Sequence, residues 1–242
     1  MSAEIFEWSR IITYPFYSWE DFVSRAVELQ LLGVKRLFQE GKVEVFGKRV
    51  LGKGTVGIVV KAQFVDGTLV SVKIRRSDAS RSSLLHEARI LLKVNSVGVG
   101  PRLVAYSRNY LIWRFVNGVP IEAWITKCSS QELRQTLKLI LEQLWILDQI
   151  GIAHNELSRF KEHVLVQNDG KPVIIDFESS TENKYRTNIP QFLGFLLNER
   201  SLTSKITREK LSIEVARDKL ITILRSYKRG IATIKDILTL IE

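Results

Sequence analysis

The 242-residue chain can hold one domain or two small lobes, 45% apolar content supplies a core, and a net charge of +10 favours polyanionic company such as nucleotide, RNA or a ribosomal particle. No run approaches the ~20 uninterrupted apolar residues of a membrane span, and Glu4 and Glu7 stand where a secretory leader would be basic and then apolar. A soluble, cytoplasmic protein is expected, without membrane association. One cysteine, Cys128, excludes an internal disulfide and a thiolate metal cluster, and three scattered histidines offer no zinc spacing.

Residues 1–42 are rich in aromatics (Phe6, Trp8, Tyr14, Phe16, Tyr17, Trp19, Phe22). Ser18 and Asp21 form an N-cap pair for a helix running to about Leu32 and stopped by Gly33, with Phe22, Ala26 and Leu29 on its apolar face. This segment reads as a helical N-terminal extension packed on the lobe after it, with a partner-binding arm as the alternative. From Val43 the pattern turns to strands. Gly52, Gly54 and Gly57 stand at G-x-G-x-x-G spacing, with Val59 two residues on, and glycine there lets backbone approach a polyphosphate and offer N–H donors. A dinucleotide-binding loop would open a helix. Here the β-branched Ile58, Val59 and Val60, the Asp66-Gly67 hairpin signal and a strand from Leu69 to Ile74 come next instead, which argues against a Rossmann unit. Gly47 to Lys53 also satisfies G-x-x-x-x-G-K, but Gly54 stands where Ser or Thr is needed and no helix comes after it, so a P-loop is discarded. On these residues alone, an ordinary Gly-containing hairpin with a solvated Lys73 remains the alternative.

Beyond a polar linker, Ser77 to Ser83, the residues Leu84, Leu85, Ala88, Leu91 and Leu92 repeat at helical spacing and put Glu87 on a helix. Strands come next at Arg102–Tyr106 and Tyr110–Val116, then Asn117-Gly118. Ser129-x-x-Glu132 is a capping box for a long amphipathic helix that buries Leu133, Leu137, Ile140, Leu141, Leu144 and Leu147 and ends at Gly151. Residues 152–166 read IAHNELSRFKEHVLV and residues 173–178 read VIIDFE, joined by a turn at Asp169-Gly170. An apolar strand ending in Asp176-Phe177 suits a carboxylate that holds Mg²⁺ at the β/γ-phosphates of a nucleotide. After about a dozen polar residues come Ile189-Pro190 and the apolar Phe192 to Leu197; Thr207–Tyr227 and Thr233–Ile241 then read as helices split by Gly230.

Across about residues 43–180, the combination of G52-x-G54-x-x-G57-x-V59, Lys73, Glu87, H154-N-E-L-S158 and D176-F-E178 resembles the protein kinase-like superfamily, in the style of the RIO family and compact archaeal predicted serine/threonine kinases. The resemblance implies an α+β, two-lobed protein kinase-like fold, with a β-rich N-lobe (43–116) and a short α-helical C-lobe (117–242) after the helical N-terminal extension (1–42). By it, Lys73 reaches the ATP phosphates, Glu87 pairs with that lysine, Trp113 sits behind the adenine, and backbone groups of Arg114 and Val116 hydrogen-bond the adenine edge. ATP and Mg²⁺ are the implied cofactors and a protein hydroxyl the implied acceptor.

Two departures stand out. Where the family has a catalytic aspartate this chain has Glu156, a longer side chain with the same carboxylate chemistry. The expected metal-ligating asparagine falls on His163, a poor Mg²⁺ ligand because the hard cation prefers oxygen. A second metal is then absent, held by Glu162, or replaced by Arg159 acting on the γ-phosphate. Three functions stay open: an atypical serine/threonine kinase, autophosphorylating or hydrolysing ATP; a catalytically weak relative whose basic surface binds RNA, a ribosomal particle or a protein; and a small-molecule phosphotransferase. Paired basic residues at Lys35-Arg36, Lys48-Arg49, Arg75-Arg76 and Lys228-Arg229 fit charged solvated faces as well as they fit a nucleic-acid patch.

Overall fold

In this computed structural model, residues 3–182, 185–196, 198, 200–212 and 217–241 are described. The protein is α+β, with eleven helices and antiparallel sheets among those residues. The chain divides into two compact units, one formed by residues up to Leu92 with Pro101–Val116, the other by Lys93–Gly100 with the chain from Asn117 onward.

The first unit begins with α1 (Ala3–Phe6), α2 (Ser9–Ile12) and α3 (Trp19–Leu31), the last capped by Ser18, whose hydroxyl accepts the Asp21 N–H at 3.3 Å. The segment read as helical also contains a strand, β1 (Val34–Phe38), which pairs with a later one. Then come β2 (Val43–Val45), β3 (Lys48–Val50), β4 (Gly52–Lys53), β5 (Gly57–Phe64), β6 (Leu69–Arg75), α4 (Leu85–Ser96, of which the residues from Lys93 on are assigned to the second unit), β7 (Leu103–Tyr106) and β8 (Tyr110–Arg114). The main sheet runs β1-β5-β6-β8-β7, with β4 added to β5. Alternation divides its strands by face. Ile58, Val60, Ala62, Val70, Val72 and Ile74 join Ile11, Ile12, Phe22, Ala26 and Leu29 in one core, so the N-terminal helices are built into this unit. Buried Arg25 latches them: its guanidinium donates to the carbonyls of Ile12 (3.2 Å) and Arg75 (2.6 Å) and to Asp21 (2.9 Å), while Tyr110 donates its hydroxyl to the Arg25 carbonyl at 2.9 Å. Helix α4 buries Glu87, Ala88, Ile90, Leu91 and Val94, and Leu84 is buried just before it. Leu85 and Leu92, expected on the apolar side, are about half exposed, because that face turns towards Glu87 and Val94.

The second unit holds β9 (Gly118–Pro120), α5 (Ile121–Lys127), α6 (Ser130–Gln149), β10 (Ile152–Ala153), α7 (Phe160–His163), β11 (Val164–Gln167), β12 (Pro172–Ile174), β13 (Thr181–Glu182), α8 (Asn188–Leu196), α9 (Leu202–Leu211), α10 (Arg217–Lys228) and α11 (Ile234–Leu238). The Ser129–Glu132 capping box forms with both reciprocal bonds, and α6 buries the six aliphatic residues expected of it together with Thr136 and Asp148. Strands β9, β11 and β12 make one small antiparallel sheet, β10 and β13 another. The helix anticipated over Thr207–Tyr227 is instead α9 and α10. Helix α9 starts earlier, at the Ser201 cap, and stops where Ser212 takes a left-handed φ of 51°. Residues 213–216 lie outside the described residues, as does Leu197 at the end of the apolar Phe192–Leu197 stretch. The last helix is shorter than Thr233–Ile241, covering Ile234–Leu238 behind a Thr233–Asp236 capping box.

Candidate functional site

In the first unit, β4 and β5 make the glycine turn. Gly52 pairs with Val59 and Lys53 with Ile58, and the Gly54 N–H donates to the Gly57 carbonyl at 2.8 Å. Arg76 pins the turn from outside, donating to the Gly54 carbonyl at 3.0 Å while it grips Asp78 bidentately at 2.8 and 2.6 Å. The three glycines differ in what they require. A Cβ on Gly57 would lie 2.9 Å from Cγ of Lys73 and 3.0 Å from the Ile74 carbonyl, so β6 passes too close for a side chain; at Gly52 and Gly54 there is room.

Val59 stands opposite Lys73 on the neighbouring strand, both on the sheet face turned away from the N-terminal helices. The Lys73 ammonium donates to Oε2 of Glu87, on α4, at 2.8 Å, and each side chain is only 7% exposed. Two opposite charges sealed from water hold one another in a fixed geometry. Their desolvation offsets most of the Coulombic gain, so such a pair is a positioning device more than a stabilising one. Trp113, half-buried on β8, stands opposite Ser71. The Arg114 N–H is committed to the Arg102 carbonyl at 2.8 Å, and Val116 is the last residue of this unit.

In the second unit the polar residues gather around the loop after β10. His154, fully buried, donates its backbone N–H to Oδ1 of Asn188 at 2.9 Å, and its Nε2 lies 2.9 Å from the Ile175 carbonyl. That contact makes Nε2 the protonated nitrogen. Burial pushes the imidazole pKa below its ordinary value, against the smaller opposing effect of the Ile175 bond, which keeps it neutral. Asn155 takes a left-handed φ of 70° and turns its amide back, donating to the Ser179 carbonyl and the Thr181 hydroxyl, each at 2.9 Å.

Glu156 is the hub. Its Oε1 accepts a hydrogen bond from the Ser179 hydroxyl. Its Oε2 accepts from Arg159 at 3.1 Å and lies 3.2 Å from Nε2 of His163. The other nitrogen of His163 is 3.9 Å from Oδ2 of Asp176. Neither His163 contact has hydrogen-bond alignment, although the ring is buried, so it spans two carboxylates by packing and proximity.

Asp176 has a φ of 64°, a region that costs a non-glycine residue of order 1–3 kcal/mol. Its neighbours impose this. The Ile175 N–H donates to the His163 carbonyl at 2.9 Å, and Phe177 is buried with its ring edge against His154, centroids 5.1 Å apart. Between these two anchors the Asp176 side chain is thrust outward, 43% exposed. No group of three or more His, Cys, Asp or Glu side chains that could hold a metal ion by itself exists among the described residues.

A buried network unforeseen in the sequence holds this loop. Asp148, on α6, accepts from the N–H groups of Thr187 (3.0 Å), Asn188 (3.1 Å) and Ile189 (3.4 Å), from the Asn188 amide (2.8 Å) and from the Tyr227 hydroxyl (2.8 Å). It thereby caps α8 with a carboxylate at the positive end of the helix. Burial nonetheless raises its pKa above the ordinary carboxylate value, the hydrogen bonds opposing that only in part. Asn188 passes the tie to the Ile152 carbonyl and the His154 N–H. An aspartate three residues before Gly151, the end of an otherwise apolar helix face, was the available signal; the other members come from distant segments with no motif.

A scan against models of known protein families matches nothing in this chain, and a search of curated proteins returns no match.

Proposed function

We propose that this protein is an ATP-dependent phosphotransferase with a protein kinase-like fold, moving the γ-phosphoryl group to a serine or threonine hydroxyl. The observation that carries the reading is the buried Lys73–Glu87 pair at 2.8 Å, joined to a glycine turn in which Gly57 is compelled by the lysine's own stem. An ammonium with its direction fixed by a carboxylate from a different element is suited to hold polyphosphate oxygens. The committed N–H of Arg114 leaves its carbonyl, with the backbone of Val116, as the adenine-facing groups under this reading.

The donor set fits Mg²⁺ at Asp176. Mg²⁺ takes one or two carboxylates and completes its shell with phosphate oxygens and water, and Asp176 is a 43% exposed carboxylate that belongs to no cluster of three or more metal-capable side chains among the described residues. When bound, the ion would polarise the β- and γ-phosphates. His163 is poorly suited to a metal, being a nitrogen donor buried between two carboxylates, and a role linking Glu156 to Asp176 suits it better. Glu156 would orient the acceptor hydroxyl and take its proton, and Arg159, 61% exposed, could meet developing negative charge. Catalysis of this kind is mostly positioning and electrostatics.

A second reading, a nucleotide-dependent binding protein with a basic surface for RNA, a ribosomal particle or a protein, draws on the occupation of Glu156 by three neighbouring groups and on the charge of +10. No helix of the described residues is long and apolar enough to cross a membrane. Incubation with γ-labelled ATP and Mg²⁺ decides between them. Label on protein or as free phosphate that disappears in Asp176→Ala is the expected result; no turnover in either, with ATP still stabilising the wild type against heat, would leave the binding protein.

A further inference from the structure

Resting on the phosphotransferase reading, we infer that Ser179 is an acceptor of that reaction: the protein phosphorylates its own Ser179 hydroxyl within one chain. Glu156 has the position of the proton-accepting carboxylate, and one of its oxygens already receives the Ser179 hydroxyl. Arg159 and His163 lie at the other oxygen, leaving Oε1 to the serine. A general base must be within hydrogen-bond reach of the proton it removes, and here the pair is assembled before any external substrate arrives.

The hydroxyl is also held in place. Asn155 grips the Ser179 carbonyl at 2.9 Å, and the Ser180 N–H closes the turn onto Phe177 at 3.1 Å. That turn comes directly after Asp176, the residue assigned to the metal-bound phosphates, and His163 lies against both carboxylates. Ser179 is half-buried, open enough to meet a phosphoryl group. Neighbouring hydroxyls are engaged elsewhere: Ser180 is fully buried with its hydroxyl 3.5 Å from the His154 carbonyl, and that of Thr181 accepts from Asn155.

The step balances with ATP as the only co-reactant. Oγ of Ser179 forms a bond to the γ-phosphorus while the bond from that phosphorus to the β–γ bridging oxygen breaks. ADP leaves with the electron pair, and the hydroxyl proton passes to Oε1 of Glu156 and on to water. The product places about −1.5 to −2 charges beside the Glu156 carboxylate, whose other oxygen accepts from Arg159 at 3.1 Å. A chain so marked has its proton acceptor faced by a dianion, so the reaction limits itself to one phosphate at this site and slows transfer to any other acceptor.

The full chain, incubated with γ-labelled ATP and Mg²⁺ over a dilution series, tests this by peptide mapping and phosphoamino-acid analysis, with free phosphate monitored in parallel. Label on the Ser179 peptide, acquired with a first-order rate constant independent of protein concentration, is expected. It should be lost in Ser179→Ala and recovered as phosphothreonine in Ser179→Thr, a variant that keeps the hydroxyl and guards against mere misfolding. Label on other residues, with Ser179 unmodified, overturns the inference and leaves the phosphotransferase intact; phosphate release with no labelled residue overturns the inference and reduces the activity to ATP hydrolysis. A rate constant that rises with concentration overturns the intramolecular step. No turnover anywhere, with Asp176→Ala indistinguishable from wild type, overturns both readings.

Discussion

The Lys73–Glu87 pair and the Glu156–His163–Asp176 group are both charged constellations, yet they are built on opposite principles. The first is dry, with each side chain 7% exposed, and joins a strand to a helix at 2.8 Å. The second is graded: His163 is 6% exposed, Glu156 23% and Asp176 43%, and its members lie on three short loop or helical segments. Regular secondary structure carries the pair, Lys73 projecting from β6 and Glu87 from the buried side of α4. The group depends on anchors outside itself, namely His154, Asn155, Asn188 and Asp148. The pair is fixed and dry, whereas the group is partly open to solvent and its members touch several neighbours.

The contrast can be broken most directly by removing one member of the dry pair. Glu87→Ala leaves a buried ammonium without that carboxylate and is expected to cost about 3–5 kcal/mol, read from urea midpoints. Glu156→Ala, nearer solvent, should shift the midpoint much less; equal shifts would show that the two sites are not distinct in kind. Next in size is Tyr227→Phe, which removes the hydroxyl that donates to Asp148 at 2.8 Å. It should cost about 1–3 kcal/mol, and an unchanged midpoint would mean that the remote network does not support the loop.

The smallest effect is with pH. His154 has a folded-state pKa below its ordinary 6.5, so the unfolded chain binds protons more readily. Its stabilising contribution is therefore complete above that value and declines as pH falls below 6.5 towards the folded value. Thermal midpoints measured on either side should fall on the acid side in the wild type and change less in His154→Gln. A drop of the same size in the variant would assign the acid sensitivity elsewhere.

The same division decides what could be read from sequence. The β-hairpin carrying Gly57, Val59 and Lys73, the Ser129 capping box and the aliphatic stripe of α6 are local patterns, and each stands in the structure where periodicity and turn chemistry put it. Residues whose partners lie far along the chain were less legible. Strand β1 was hidden in a segment read as helical because its pairing residues, Lys61 to Phe64, come much later. The face of α4 was mis-phased because Leu85 and Leu92 are apolar without being buried. Ser179, two residues past Asp176-Phe177, carried no pattern of its own, and only the fold brings it to Glu156.

Asp148 has one more consequence. Its two oxygens gather amide hydrogens from three successive residues at the start of α8, and Asn188 extends the grip to His154, so these groups share a common lock. Their amide protons are expected to exchange through a single opening event rather than one by one, the helix start and the loop bearing Glu156 becoming exposed together when the carboxylate lets go. In the language of hydrogen exchange they form one cooperative opening unit, joined across the sequence by a buried aspartate.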